Sequence, residues 1–392
     1  MSMDFHFLLN NSVSISAALL FIALVVLLLI HKLQEKNGIT KKKKYHPIGG
    51  TILNQLINFN RLHHYMTDLA AKYRTYRLIS PFRNEIYTSD PANVEYILKT
   101  NFKNYGKGWH NYSILKDLLG DGIFTVDGDK WLEQRKVSSF EFSTRVLRDF
   151  SSVIFGKNVI KLAKILSGAA GSGQILDIQD LFMKSTLDSI FRVAFGVELD
   201  SMCGSNEEGK RFSNAFDDAS AITLRRYVDV SWKIKKALNI GSEAKLKKYI
   251  RVIDDLVYKL IQTKTEQMHN PQDGFSALKK DDILSRFLQV TQTDPKYLRD
   301  IILNFIIAGK DTTAATLSWF IYALCKHPHI QEKISKEIKE VTDQEQLTAI
   351  SEFTDRLHEA ALEKMHYLHA ALTETLRLYP AVPVVSLDGE EG

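Results

Sequence analysis

The chain is short of cysteine: Cys203 and Cys325 are the two thiols in 392 residues. They lie far apart in unlike surroundings, which excludes a disulfide framework and fits a reducing compartment. No metal-ligand spacing surrounds either of them. A strong charge of one sign is also missing, because a formal net charge of +5 is too small for this length to argue for nucleic acid. Low-complexity tracts and internal repeats are absent, which sets aside repeat architectures. What remains is ordinary globular composition, 45% hydrophobic and 25% charged. The length allows one large domain, or two or three small ones, with a sizeable core.

One long apolar run stands out at the N-terminus, from Val13 to Ile30. As a helix it reaches roughly 27 Å, enough to cross a hydrocarbon core of ~30 Å. A cleaved signal peptide is the alternative reading, but the run is long for one and His31-Lys32 follows it in place of a small-residue site. Asp4 precedes the run, whereas Lys32, Lys36 and Lys41 to Lys44 follow it. That asymmetry predicts a single-pass anchor with everything after residue 31 on the cytosolic side. The lysine cluster could serve as a nuclear signal, but beside a span a stop-transfer role is more economical. The Asn111-Tyr112-Ser113 sequon is then expected never to meet the glycosylation machinery. Residues 45–50, with Pro47 and two glycines, read as a stiff connector.

Beyond the connector, Arg61 to Lys72 has helical spacing. Tyr76 to Ile79 and Glu85 to Thr88 read as two short strands joined by a turn at residues 81–84. Asp90-Pro91 opens a helix with a cap and a first-turn proline. From there to about residue 385 helical patterns dominate, interrupted by loops at 201–209 and 269–282. The expected fold class is mainly α with a small β-sheet. The chain divides into an anchor (1–31), a basic and Pro/Gly linker (32–50), a domain (51–385) and a short tail (386–392).

Three constellations carry chemistry. The first is Ala308-Gly309-Lys310-Asp311-Thr312-Thr313, inside an apolar helical segment from about Tyr297 to Lys326. Polar groups and a mid-helix glycine are costly there. Phe305, Ala308, Thr312, Ala315 and Thr316 recur at spacings of three and four, forming one small, lightly hydroxylated face that a flat ligand could approach. Thr312 is expected to bond back to the Ala308 carbonyl. Gly309 eases local widening, and Asp311 stands at the side, where an acid could feed protons inward. The second is Trp131 and Arg135, one helical turn apart on a helix starting near Asp129. An indole donor beside a guanidinium suits a carboxylate or phosphate, although a surface cation–π pair is the plainer reading. The third is Glu374 and Arg377, three apart with apolar flanks that predict a buried ion pair.

Trp-x-x-x-Arg, then Ala-Gly-x-Asp-Thr-Thr on a long apolar helix, then Glu-x-x-Arg followed by Leu-Tyr-Pro resembles the cytochrome P-450 superfamily from about residue 13 to 385. Residues 101–108, 139–145 and 282–287 resemble its plant long-chain fatty-acid ω-hydroxylase branch. The resemblance implies a haem cofactor whose propionate is bound by Trp131 and Arg135. It implies a distal groove at Ala308 and Gly309, with Thr312 holding and protonating dioxygen and Asp311 relaying protons. Glu374 and Arg377 match a structural pair. One oxygen atom enters a C–H bond of a fatty acid and the other becomes water. Electrons come from a membrane-bound NADPH-cytochrome P-450 reductase, and the setting is the endoplasmic reticulum membrane. No nucleic acid is involved.

The resemblance fails at one point. The family's proximal cysteine sits in a Phe-x-x-Gly-x-Arg-x-Cys-x-Gly loop downstream of Glu-x-x-Arg, and these 392 residues contain no such loop. Cys325 ends the central apolar helix and Cys203 lies in a polar loop. Without a thiolate there is no electron push for O–O cleavage. The tail after Val384 also departs from the branch. The expectation is a fold truncated before the haem-cysteine loop that forms no thiolate-ligated haem. Its Glu374–Arg377 network, short of one member, loses about 3–5 kcal/mol. A catalytically inactive, membrane-anchored product is the alternative function.

Overall fold

The computed structural model describes residues 51–79, 84–143, 145–229, 231–269, 282–290, 294–343 and 350–389. The expected anchor, the lysine cluster, the connector and most of the turn at 81–84 lie outside them. No helix among the described residues is long and apolar enough to cross a membrane. Contacts group the chain into two compact units, residues 1–94 and 95–392.

In the first unit, α1 (Ile52–Ile57) and α2 (Leu62–Lys72) precede a hairpin of β1 (Thr75–Ile79) and β2 (Asn84–Thr88). The strands pair antiparallel with Tyr76 opposite Tyr87, whose rings stack at 5.5 Å. Thr51 closes this unit by accepting the Ile79 N–H on its hydroxyl at 2.8 Å while its own N–H donates to Ile79 O at 2.7 Å. The α3 helix (Pro91–Glu95) follows, with the Ala92 N–H bonded to the Asp90 carboxylate at 3.0 Å, as the Asp-Pro pair predicts.

The second unit is a helical assembly. After the two-residue strand β3 (Tyr105–Gly106) come α4 (Gly108–Leu119), α5 (Gly128–Ser143), α6 (Arg145–Ser172), α7 (Ile178–Phe195) and α8 (Glu207–Arg225). The chain continues through α9 (Trp232–Leu238), α10 (Gly241–His269), α11 (Ile283–Val290) and the long α12 (Pro295–Lys326). It finishes with α13 (Pro328–Thr342), α14 (Ile350–Arg356), α15 (Glu359–Leu362), α16 (His366–Leu378) and β4 (Asp388–Gly389). The caps explain several starts: Asp177 accepts from two N–H groups of α7, Asn206 from two of α8, and Asp294 from Lys296 N, with Pro295 in the first turn of α12.

The core sits where α12 crosses α7 and α10 packs on α8. Phe191 and Phe195 of α7 interleave with Phe212 and Phe216 of α8, with Phe191 5.3 Å from Phe212, and all four are fully buried. Four such rings give area burial plus edge-to-face contact worth about 0.5–1.5 kcal/mol per aromatic pair. Ile301, Ile302, Leu303, Phe305 and Ile306 of α12 belong to the same cluster. Ile307, half-buried, packs against it.

The tail is partly built into the fold. Asp388 pairs with Gly106 and Gly389 with Tyr105 in the β3–β4 ladder. Asn111 is buried, with its amide nitrogen donating to Lys107 O at 2.6 Å and its carbonyl oxygen accepting from the Tyr227 hydroxyl at 2.9 Å. The folded chain therefore offers no glycan acceptor at that sequon.

Candidate functional site

Helix α12 is unbroken from Pro295 to Lys326. Its buried half ends at Ile306, and Ile307, Ala308 and Gly309 are half-buried, as are Asp311, Thr312, Ala315 and Thr316. A strip of small side chains and hydroxyls thus lies open on an otherwise packed helix. The Thr312 hydroxyl donates to Ala308 O at 2.5 Å, and the Thr316 hydroxyl to Thr312 O at 2.9 Å. The expected back-bond is present, without any widening of the helix. Gly309 has a packing reason: a Cβ there would stand 3.1 Å from Cδ1 and Cγ1 of Ile190 on α7, so its bareness lets the two helices close.

Lys310, which the motif leaves blank, is the most deeply placed charge of the strip, at 1% exposure. Its Nζ donates to Asp311 Oδ1 at 2.9 Å and to Asp217 Oδ1 of α8 at 2.5 Å. Burial acts to lower its pKa, but the Asp311 and Asp217 carboxylates outweigh that and hold it above the ordinary lysine value. Asp311 is therefore neither free nor buried: an ammonium anchors one carboxylate oxygen while the group keeps access to solvent. A lysine next to an aspartate in an apolar run was a signal that its ammonium needs a second acid, although the sequence could not say which.

Trp131 and Arg135 lie on α5 as expected, the indole half-buried and the guanidinium exposed. The cation over the Trp131 ring is Lys107, 5.2 Å from its centroid, so the plainer reading of an indole–Arg135 pair is not what forms. Among the described residues, Arg135 and the Trp131 N–H find no hydrogen-bond or ion-pair partner. Two donors on one helical side are thus left for an outside acceptor.

Glu374 and Arg377 pair through two bonds of 2.7 Å. The pair is exposed, at 54% and 67% of the side chains, which corrects the expectation of burial. The flanking Leu376 and Leu378 are exposed too, so the apolar residues around the pair mark a face that nothing in the described residues covers. An exposed pair in water contributes little, so no large loss attaches to it.

Cys203 follows α7 in a turn and Cys325 ends α12; both are free and exposed. Thirteen positions separate Cys325 from Thr312, about 140° around a helix of 3.6 residues per turn, so it faces away from the strip. Sequence reasoning also passed over Asp300 and Asn304, polar and buried in the first turns of α12. Both are polar residues in an apolar run, the same signal that residues 308–313 carry.

The profile of the cytochrome P-450 family matches residues 41–387. Cytochrome P-450 704C1 of Pinus taeda is 50% identical over 363 residues, covering 88% of this chain and 69% of the relative. Cytochrome P-450 704B1 of Arabidopsis thaliana is 43% identical, covering 86% of this chain and 70% of the relative. A cytochrome P-450 of Vicia sativa is 36% identical, covering 87% of this chain and 65% of the relative. With a family match across most of its length and relatives this similar, the chain belongs to the cytochrome P-450 family and is by that membership a haem-dependent oxidoreductase.

Proposed function

We propose that this chain provides the oxygen-side and propionate-side walls of a haem site built to hydroxylate a long-chain fatty acid at the ω-position, a reaction that also needs a thiolate on the third side. The observation that carries the reading is the half-open strip Ala308–Thr312–Thr316 on an otherwise buried helix, with its hydroxyl tied back to the helix. The donor chemistry fits haem on two sides. Trp131 and Arg135 present unpaired N–H donors suited to a propionate carboxylate. The small side chains at Ala308 and Ala315, with Gly309 between them, let a flat ring and a diatomic gas approach. On the third side the fit stops, because Cys325 faces away from the strip.

Haem, when bound, supplies oxygen activation and the insertion of one oxygen atom into a C–H bond, the second leaving as water. The chain's residues bind, orient and move protons. Thr312 spends its hydroxyl proton on Ala308 O, which leaves its lone pairs turned to the groove, ready to accept a proton and pass its own on. Asp311 is the relay that reloads it: its carboxylate, held in place by Lys310 and still reached by solvent, takes a proton from water and passes it inward. Trp131 and Arg135 would hold the ring through a propionate carboxylate. The substrate reading rests on the branch resemblance and on the apolar, small-residue character of the strip. A lipid substrate, an NADPH-dependent reductase and an endoplasmic reticulum anchor at residues 1–31 belong to the same reading.

A second reading, a membrane-anchored product without catalysis, is favoured by the placement of Cys325, which faces away from the strip. Incubation of microsomes bearing this chain with reductase, NADPH and a long-chain fatty acid, followed by mass spectrometry of the hydroxy acids, separates the two. An ω-hydroxy acid supports the first. In-chain hydroxylation alone, from a sample with a thiolate-type spectrum, overturns the ω assignment. No product and no thiolate-type spectrum supports the second.

A further inference from the structure

The loop at 120–127 joins α4 to α5, and two buried side chains of α12 hold it. Asp300 Oδ2 accepts the Asp121 N–H at 2.9 Å, and Asn304 Oδ1 accepts the Phe124 N–H at 3.1 Å. Asn304 Nδ2 in turn donates to Leu119 O at 2.8 Å and to Asp300 O at 2.6 Å. These two side chains satisfy backbone groups that the loop cannot pair by itself, and an unpaired buried group is expensive. The approach is very close: a Cβ on Gly120 would fall 1.9 Å from Asp300 Oδ1, and one on Gly122 1.9 Å from Asn304 Nδ2.

The loop also holds α5. Gln134 Nε2, buried, donates to Asp121 O at 2.7 Å, and Lys130 Nζ donates to Asp121 Oδ2 at 3.1 Å. Gln134 lies between Trp131 and Arg135 along the helix. A continuous path of hydrogen bonds therefore runs from the first turns of α12, through the backbone of Asp121, into the helix that carries the two unpaired donors. Asp300 stands eight residues and Asn304 four residues before Ala308, on the same helix as the groove.

We propose that Asp300 and Asn304 are positioning residues that set where Trp131 and Arg135 stand relative to the groove at Ala308–Thr312. The proposal rests on the reading of Trp131 and Arg135 as the pair that binds a haem propionate. It explains why an apolar helix carries an aspartate and an asparagine four apart. They do not act on substrate; they register one wall of the site against the other.

The test compares two iron-free probes, protoporphyrin IX and its dimethyl ester, titrated by fluorescence against the full chain in detergent. Neither needs an axial ligand, and they differ only in whether the propionates are free. The wild-type chain is expected to prefer the free acid, and Arg135→Leu to reduce that preference about tenfold, the loss of one charged hydrogen bond. Asn304→Leu, which removes both donor and acceptor, is expected to reduce it similarly while leaving the ester's affinity unchanged. It should also speed amide hydrogen exchange across residues 119–127. Asp300→Asn, which keeps an acceptor oxygen for the Asp121 N–H, is expected to retain most of the preference. If Asn304→Leu does not fold by circular dichroism, Gly122→Ala, whose Cβ collides with the Asn304 side chain, disturbs the same contact and carries the same expectations. Equal weakening of both porphyrins, or an intact preference when Arg135→Leu abolishes it, overturns the proposal. An intact preference in Arg135→Leu itself overturns the reading of the pair, and this proposal falls with it.

Discussion

Two buried cations show how the surroundings of the partner, more than the pairing itself, decide what a residue is worth. Arg226, immediately after α8, is buried and donates to Glu243 Oε1 at 3.0 Å and Oε2 at 2.6 Å, to Asp117 at 2.8 Å and to Ile114 O at 2.7 Å. Its guanidinium also lies 4.5 Å from the centre of the Trp232 ring. Lys310 is as deeply buried, but Asp217 is 50% exposed, so that acid rehydrates when the lysine is removed. Glu243 cannot rehydrate, being 3% exposed. Arg226→Met is therefore expected to destabilise by about 3–5 kcal/mol, the cost of stranding a buried charge. Lys310→Met, an apolar swap of similar length, is expected to cost less than about 1.5 kcal/mol. Urea unfolding of both variants checks the contrast, and equal losses would contradict it. Asp117 adds a pH dependence. Burial acts to raise its pKa, yet hydrogen bonds from Lys236 and Arg226 prevail and hold it below the usual carboxylate value of 3.8. A depressed carboxylate contributes stability that is present above that value and lost as pH falls through the folded pKa. Asp117→Asn should therefore unfold at a lower temperature at neutral pH and flatten the acid limb of the stability–pH curve, as followed by circular dichroism.

At the scale of elements, the parts legible in the sequence were those set by local rules. The hairpin, the Asp-Pro start of α3, the start of α5 and the bounds of α12 follow from alternation, caps and apolar runs. The Thr312 back-bond followed from an i, i+4 spacing alone. The partners of Lys310, Asp300 and Asn304 were not legible, because they lie 93, 179 and 180 positions away and no local pattern reports them. Burial of Glu374 and Arg377 was not legible for the opposite reason: apolar neighbours in sequence do not cover the pair, because the helix face they share is exposed. Gly309 tests the packing of α12 on α7. Gly309→Ala gains up to about 1 kcal/mol of helix propensity and presses on a side chain of α7 that is only half-buried, so its net effect should be small. Gly309→Leu drives a larger side chain into Ile190 and should cost about 1–3 kcal/mol. Thermal unfolding of the two variants reads the difference.

For the whole molecule, the exposed Glu374–Arg377 pair predicts that Glu374→Gln leaves the unfolding midpoint of this chain unchanged within error. A large drop would mean that the face is covered after all. Leu376, Leu378, Val382, Val384 and Val385 are exposed along the same stretch, with Trp319 and Tyr379 stacked 4.2 Å apart nearby. A face of this kind favours association. The molecule thus joins a well-built core and a half-open strip of small residues on α12 to an apolar surface that nothing among the described residues covers, with Cys325 facing away from the strip. The reduced, carbon-monoxide-bound absorption spectrum of microsomes expressing these 392 residues tests that combination most directly. The account predicts no thiolate-type Soret band, and a normal thiolate-type band would contradict it.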